Sequence, residues 1–120
     1  MTPKVSLCIP AYREAEKLAK LLDSIASQDF RDFEVIVSND SPDNAVQQIC
    51  EAYPALAIRY FRNTPAKGSP GNWNFAIAQA RAPWVKLMHH DDYFYDSRAL
   101  GTFYQASEAQ LAIVTGKHRD

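Results

Sequence analysis

Neither of the two familiar phosphate-binding signatures occurs in this sequence. No G-x-G-x-x-G follows the first apolar run, and no G-x-x-x-x-G-K-S/T is present, so a dinucleotide fingerprint and a P-loop are both excluded. No apolar run approaches the ~20 residues that a bilayer span needs, and the first residues do not read as a signal peptide. Charge of one sign is not in excess: the formal net charge is -1, with 22% charged and 47% hydrophobic residues. That balance points away from nucleic acid as a partner and away from a basic membrane patch. Cysteine is nearly absent. Cys8 falls in an apolar run and Cys50 on a helix face, without motif spacing, which predicts reduced, structural thiols and a cytoplasmic location. Internal repeats and low-complexity segments are lacking too, and 120 residues suit a single domain over 1–120.

What is present alternates. Val5–Ile9 is a short apolar run closed by Pro10 and is expected to be a buried strand. From Glu14 to Gln28, Leu18, Leu21, Leu22 and Ile25 repeat at helical spacing, with Glu14 and Glu16 in the first turn, where the helix dipole favours negative charge. Phe33–Val37 reads as a second strand, followed by a polar loop in which Ser41 or Asp43 is placed to cap the next helix. Val46, Ile49, Cys50 and Tyr53 form that helix's apolar face, ended by Pro54. Ala57–Phe61 is a third strand, assigned to a sheet edge. After a Pro/Gly loop, a third helix carries Trp73, Ala76, Ile77 and Ala80 on its inward face and leads to a strand over Trp84–Met88. Asp96 or Ser97 caps a fourth helix with Leu100, Phe103 and Tyr104 inward, and Leu111–Val114 is a fifth strand. Strands alternating with helices imply an α/β fold with a mostly parallel sheet flanked by helices.

In such a sheet ligands sit beyond the carboxyl ends of the strands. Three polar loops fall there: Pro10–Arg13, Asn39–Asp43 and His89–Asp92. The last is the sharpest, because an apolar strand stops at two histidines and two aspartates, and unpaired carboxylates do not belong in a core. Asp91 and Asp92 supply hard oxygen ligands for Mn²⁺ or Mg²⁺, and such a cation could hold a diphosphate; the competing reading is a solvated, capped turn. His89 and His90 lack the further Cys or His that zinc would need. Asp40 is equally well an acceptor for a base N–H or a ribose hydroxyl and an Asx turn or helix cap. Tyr12 either stacks on a base or covers the sheet edge. Lys67, Gly68 and Ser69 precede a helix whose N-terminus attracts anions, or form a solvated loop. Trp73 and Trp84 are most simply core, and one of Asn72 and Asn74 is placed to cap the third helix.

Taken together these residues resemble the N-terminal half of the inverting, family-2-type glycosyltransferases of GT-A fold. Val5-Ser6-Leu7-Cys8-Ile9-Pro10-Ala11-Tyr12-Arg13-Glu14 is similar to that family's V-S-V-I-I-P-T-Y-N-E opening. The segment from Ser27 to Ser41 is similar to its S-Q-T-Y-x-D-F-E-I-I-V-V-D-D-G stretch. Gly68-Ser69, Asn74, Ala80, Trp84–Leu87 and Asp91-Asp92 follow its G-S-x-x-x-x-N…A…Y-I…D-x-D-D order. The resemblance covers essentially the whole chain. It implies a Rossmann-like nucleoside-diphosphate-sugar site in which Pro10, Tyr12 and Asp40 surround base and ribose. Lys67 or Gly68 would lie near the nucleotide, Asp91 would touch ribose or share the metal, and Asp92 would be the main metal ligand. The parent enzyme would transfer the sugar, with inversion, to a glycan, lipid or other acceptor that the sequence does not identify.

Three positions depart from the family. His89 stands where many members have the first Asp of D-x-D-D. Asn39 replaces the first Asp of D-D-G, and Ser41 its Gly. Members also carry the acceptor site and the general base in a second half. The expectation is therefore a donor-binding half whose base lies beyond Asp120, inactive by itself and with apolar surface that favours a homodimer; in the full-length parent it would sit in the cytoplasm or at the membrane periphery. The rivals are a non-catalytic Mg²⁺- and nucleotide-binding regulatory module and a receiver-like module. The latter needs an acceptor Asp at the end of the third strand, where Arg62-Asn63 stand instead.

Overall fold

The computed structural model describes residues 2–89 and 91–108. A parallel sheet of β1 (Val5–Ala11), β2 (Phe33–Asn39), β3 (Arg59–Arg62) and β4 (Trp84–Leu87) has the order β3-β2-β1-β4. Helices α1 (Ala15–Ala26), α2 (Ala45–Glu51), α3 (Ser69–Ala78) and α4 (99–108) connect or cover the strands. The α/β reading holds. The expected fifth strand, Leu111–Val114, lies outside the described residues.

Alternation along β1 and β2 divides the core in two. Val5, Leu7, Ile9 and Ala11 pack with Val35 and Val37 on one face, against Leu18, Leu21, Leu22 and Ile25 of α1, Val46 and Cys50 of α2, and Leu100 of α4. Cys8 and Ile36 point to the other face and meet Ala76 of α3. Because β1 and β2 are covered on both sides, they read as continuous apolar runs. Burial pushes the thiols of Cys8 and Cys50 up to about 12, so both are protonated, inert packing groups at neutral pH.

β1 runs two residues past Ile9, the expected last residue of the strand, pairing Pro10 with Ser38 and Ala11 with Asn39. Pro10 costs nothing there. The Cys8 carbonyl points towards β4, where it accepts the Met88 N–H at 2.8 Å, and β4 pairs with β1 no further than Leu87. The missing N–H of Pro10 therefore faces a side with no strand to receive it. β3 lies at the edge, as expected.

Two helix boundaries shift. Glu14 is outside α1, in the left-handed region at φ 55, with Arg13 before it at φ 57. α2 ends at Glu51, and Pro54 opens a 3-10 turn, Pro54–Leu56, instead of closing the helix. The inward face of α3 also differs. Asn72 and Ala76 are buried, while Trp73 and Ile77 are each 40% exposed. The expectation that Trp73 is core is corrected: the helix turns a polar asparagine inward because that residue has polar partners beneath it. Gln28 then ties α4 to α1, giving its Nε2 hydrogens to the carbonyls of Ser24 and Asp96 and accepting the Leu100 N–H. Asp96 accepts the Arg98 N–H at 3.0 Å, close to the capping role assigned to it.

Candidate functional site

The carboxyl ends of β1 and β2, the start of α3 and His89, two residues past β4, border a cleft of about 350 Å³. Pro10 and Tyr12 line it from the end of β1, Asp40 from the end of β2, Gly68 and Ser69 from the start of α3. Trp73 and His89 complete the wall, their rings edge to face with centroids 4.9 Å apart. Four of the sequence-predicted nucleotide residues, Pro10, Tyr12, Asp40 and Gly68, thus meet in one place.

Asp40 is buried at 6% exposure, where a carboxylate must be bonded or neutralised. It is bonded. Oδ1 accepts the Asn63 side-chain amide at 2.7 Å and the Lys67 N–H at 3.0 Å, and Oδ2 accepts the Gly68 N–H at 2.9 Å. The two readings left open from sequence resolve in part: Asp40 caps the loop that leads into α3, although it lies 27 residues or more from those N–H groups. Gly68 enters the helix at φ 79, ψ 166, a conformation essentially restricted to glycine.

Beneath this corner runs a polar network that the sequence reading missed. The Asn63 amide also donates to Ser38 Oγ and Asn72 Oδ1, both at 3.1 Å, and the Asn72 amide donates to the Ala11 carbonyl at 3.3 Å. The ends of β1, β2 and β3 and the first turn of α3 are joined in one set of bonds. The available signal was position: Asn63 directly follows the third strand, as Asp40 follows the second.

The departures at Asn39 and Ser41 are used structurally. Asn39 donates to the Tyr60 hydroxyl at 2.8 Å and accepts the Ser41 N–H at 2.8 Å, while Ser41 Oγ accepts the Arg13 N–H at 2.5 Å. Gly68 lines the cleft, but Lys67, expected with it to lie near the nucleotide, is not among the lining residues. It meets the site through its backbone, and its ammonium lies 4.9 Å from the Phe75 ring centroid.

Asp91 and Asp92 are exposed and border a separate, smaller cleft of about 160 Å³ with Lys17, Lys20 and Tyr93. The two clefts adjoin through His89, whose N–H donates to Asp92 Oδ2 at 2.9 Å while its carbonyl accepts the Asp92 N–H at 2.9 Å. Among the described residues no three His, Cys, Asp or Glu side chains converge as a ligand group. A cation here would have two carboxylates, with phosphate and water oxygens for the rest, which suits Mg²⁺ or Mn²⁺, ions that keep several non-protein ligands. The donor set fits such an ion.

An open parallel sheet with helices on both faces and a polar cleft at its carboxyl edge defines a Rossmann-like α/β class, in which ligand sites lie beyond the carboxyl ends of the strands. The sequence pattern of glycosyl transferase family 2 matches residues 6–120, and the chain belongs to that family. It is 33% identical over 117 residues to GalNAc(5)-diNAcBac-PP-undecaprenol beta-1,3-glucosyltransferase of Campylobacter jejuni, over 95% of this chain and 38% of that protein. The crystal structure of Staphylococcus aureus TarS 1-349 in complex with UDP-GlcNAc aligns with a TM-score of 0.75 at 34% identity, covering 82% of this chain and 29% of the other. The mannosyltransferase PcManGT from Pyrobaculum calidifontis, in complex with GDP-Man and Mn²⁺, aligns with a TM-score of 0.72 at 28% identity, over 83% of this chain and 31% of the other. The chain therefore spans 29% to 38% of these three relatives. No described helix is long and apolar enough to cross a membrane.

Proposed function

We propose that this chain is the donor-binding part of a glycosyltransferase that takes a nucleoside-diphosphate sugar and passes the sugar, with inversion, to an acceptor. One observation carries the reading. In a member of this family, Pro10, Tyr12, Asp40 and Gly68 converge on a cleft at the carboxyl edge of the sheet. Relatives solved with UDP-GlcNAc and with GDP-Man and Mn²⁺ support a donor of that class.

In this reading Tyr12 lies against the base, and the Asp40 carboxylate accepts a hydrogen bond from base or ribose through the capacity left on Oδ2. Asp91 and Asp92 would hold Mn²⁺ or Mg²⁺, which would offset the diphosphate charge and stabilise the leaving nucleotide. Asp92 reaches that role from a turn already closed by its bond to His89. Among the described residues the carboxylates at the cleft edge have these donor-side tasks. The base that deprotonates the acceptor hydroxyl, which must lie within hydrogen-bond reach of it, is accordingly assigned to none of them.

The test is a calorimetric titration of UDP and GDP, with and without Mn²⁺. Binding strengthened by Mn²⁺ for at least one nucleotide is the expected result; no binding of either in either condition overturns the reading. The rival regulatory module would bind the nucleotide but show no acceptor-dependent nucleotide release in the full-length parent.

A further inference from the structure

Asn63 has no role in the family resemblance as drawn from the sequence, yet its side chain makes three hydrogen bonds at the site, as many as that of Asp40. It is 8% exposed and sits one residue past β3, where its own N–H continues the ladder to the Asn39 carbonyl at 2.9 Å. Its two amide hydrogens face three acceptors: Asp40 Oδ1 at 2.7 Å, Ser38 Oγ at 3.1 Å and Asn72 Oδ1 at 3.1 Å. The bond to Asp40 is the shortest and is charge-assisted, the stronger kind.

We infer that Asn63 is a positioning residue of the nucleotide site, acting through Asp40. This rests on the proposed function. A carboxylate offers about four lone-pair positions. Protein donors take two on Oδ1 and one on Oδ2, so one position on Oδ2 is left for a donor in the cleft. That position faces a ligand only while Oδ1 is held on the protein side. Asn63 supplies the side-chain half of that hold and the Lys67 N–H the backbone half. The Asn72 bond extends the same frame to α3, which carries Ser69 and Trp73 into the cleft wall. A carboxylate held in place in advance does not lose its freedom again when the ligand binds, and this is how a residue without ligand contact raises affinity.

The experiment uses the full chain and three variants: Asn63→Ala, the milder Asn63→Ser, whose hydroxyl is too short to span the gap to Asp40, and Glu34→Gln at the opposite end of the sheet. UDP and GDP with Mn²⁺ are the probes, and amide hydrogen exchange at Lys67 and Gly68 is followed in parallel. Both Asn63 variants should bind the preferred nucleotide at least tenfold more weakly, and Lys67 and Gly68 should exchange faster. In combination with Asp40→Ala, Asn63→Ser should add less than a further twofold, because its effect passes through that carboxylate. Glu34→Gln lowers the melting temperature but leaves affinity within twofold, which separates positioning from general destabilisation. Asn63→Ser binding within twofold of the unaltered chain, or a loss in the double variant equal to the product of the single losses, overturns the inference. If the unaltered chain binds neither nucleotide, the proposed function fails instead, and the exchange of Lys67 and Gly68 in Asn63→Ser still decides whether Asn63 holds Asp40.

Discussion

Asp40 accepts the backbone N–H of Gly68 at 2.9 Å, so the end of β2 and the beginning of α3 form one corner although 28 residues separate them. The bond satisfies an N–H at a helix start that carries no other side-chain cap, and it places the glycine where the backbone comes close to the cleft. A single carboxylate thus serves the loop and lines the cleft.

Replacing that carboxylate should therefore cost both stability and binding. Asp40→Ala removes the acceptor of the Lys67 and Gly68 N–H groups, which lie in an exposed loop that water can reach. It also removes the shortest of three bonds of the buried Asn63 amide, which keeps Ser38 and Asn72. Hydrogen bonds to a charged group contribute about 1.5–3 kcal/mol when buried and less where water replaces them. A loss of roughly 1–3 kcal/mol is expected in denaturant melts, together with weaker nucleoside binding in the absence of metal. Melts that fall while nucleoside affinity stays the same would reduce Asp40 to a loop cap.

A cleaner variant exists at the metal position. Asp92 accepts the His89 N–H through Oδ2, and an asparagine carbonyl can accept the same bond, so Asp92→Asn keeps the turn and removes the charge. Metal-assisted nucleotide affinity should drop at least tenfold, about 1.4 kcal/mol, with metal-free affinity preserved. Calorimetry with and without Mn²⁺ reads both numbers, and equal Mn²⁺ enhancement in the two proteins would remove Asp92 from the ligand set.

The sheet and most of its helices were legible because apolar periodicity reports burial directly. Leu18, Leu21, Leu22 and Ile25 all proved fully buried, and the runs in β1 and β2 became the covered central strands. The cleft at the carboxyl edge was legible in outline as well, since three strands run into polar loops, although Asn39, Asp40 and Ser41 prove buried and hydrogen-bonded rather than solvated. Trp73 was not. Counting apolar residues on α3 sets Trp73 and Ile77 inward, whereas the helix is oriented by Asn72, which hydrogen-bonds to Ala11 and Asn63. A buried polar network leaves no apolar period to count. Similarly, nothing in His89-His90-Asp91-Asp92 says that His89 faces the larger cleft and Asp92 the smaller one, because a turn rather than a strand sets their directions.

Glu34 predicts the acid limit of the fold. Burial pushes its carboxyl up, but hydrogen bonds from Ser6 Oγ at 2.5 Å, the Arg81 N–H at 2.7 Å and the Arg59 and Arg81 guanidinium groups outweigh this and hold it below its ordinary 4.5. The folded chain then binds fewer protons than the unfolded one around that pH. The contribution is fully present above about 4.5 and is lost as pH falls through the lowered value. Glu34→Gln should cost about 1–3 kcal/mol at neutral pH, and the gap should close as pH falls below 4.5. A gap that stays constant between pH 7 and 3 would show that the charge itself contributes nothing.

The last prediction concerns the turn after Tyr12. Arg13 and Glu14 both sit in the left-handed region, at φ 57 and 55, where a residue with a Cβ is disfavoured by roughly 1–2 kcal/mol. The turn is held by the Arg13 N–H on Ser41 Oγ and by the Arg13 guanidinium lying 5.2 Å from the Tyr12 ring centroid. The resembling family carries asparagine at this position, a residue that tolerates the left-handed region because its short side chain bonds locally. Arg13→Asn gives up an exposed cation–π contact of about 0.5–1 kcal/mol and relieves strain of comparable or larger size. Its stability should lie between unchanged and ~1 kcal/mol higher. Arg13→Val keeps the backbone demand and adds a β-branched side chain, for which positive φ is a true outlier, so it should lose at least ~1 kcal/mol more than the cation–π contact alone accounts for. Urea melts of the two variants decide the matter: equal stability for Asn and Val would mean that the turn relaxes out of the left-handed region at no cost, and that Tyr12 is held by something other than this backbone.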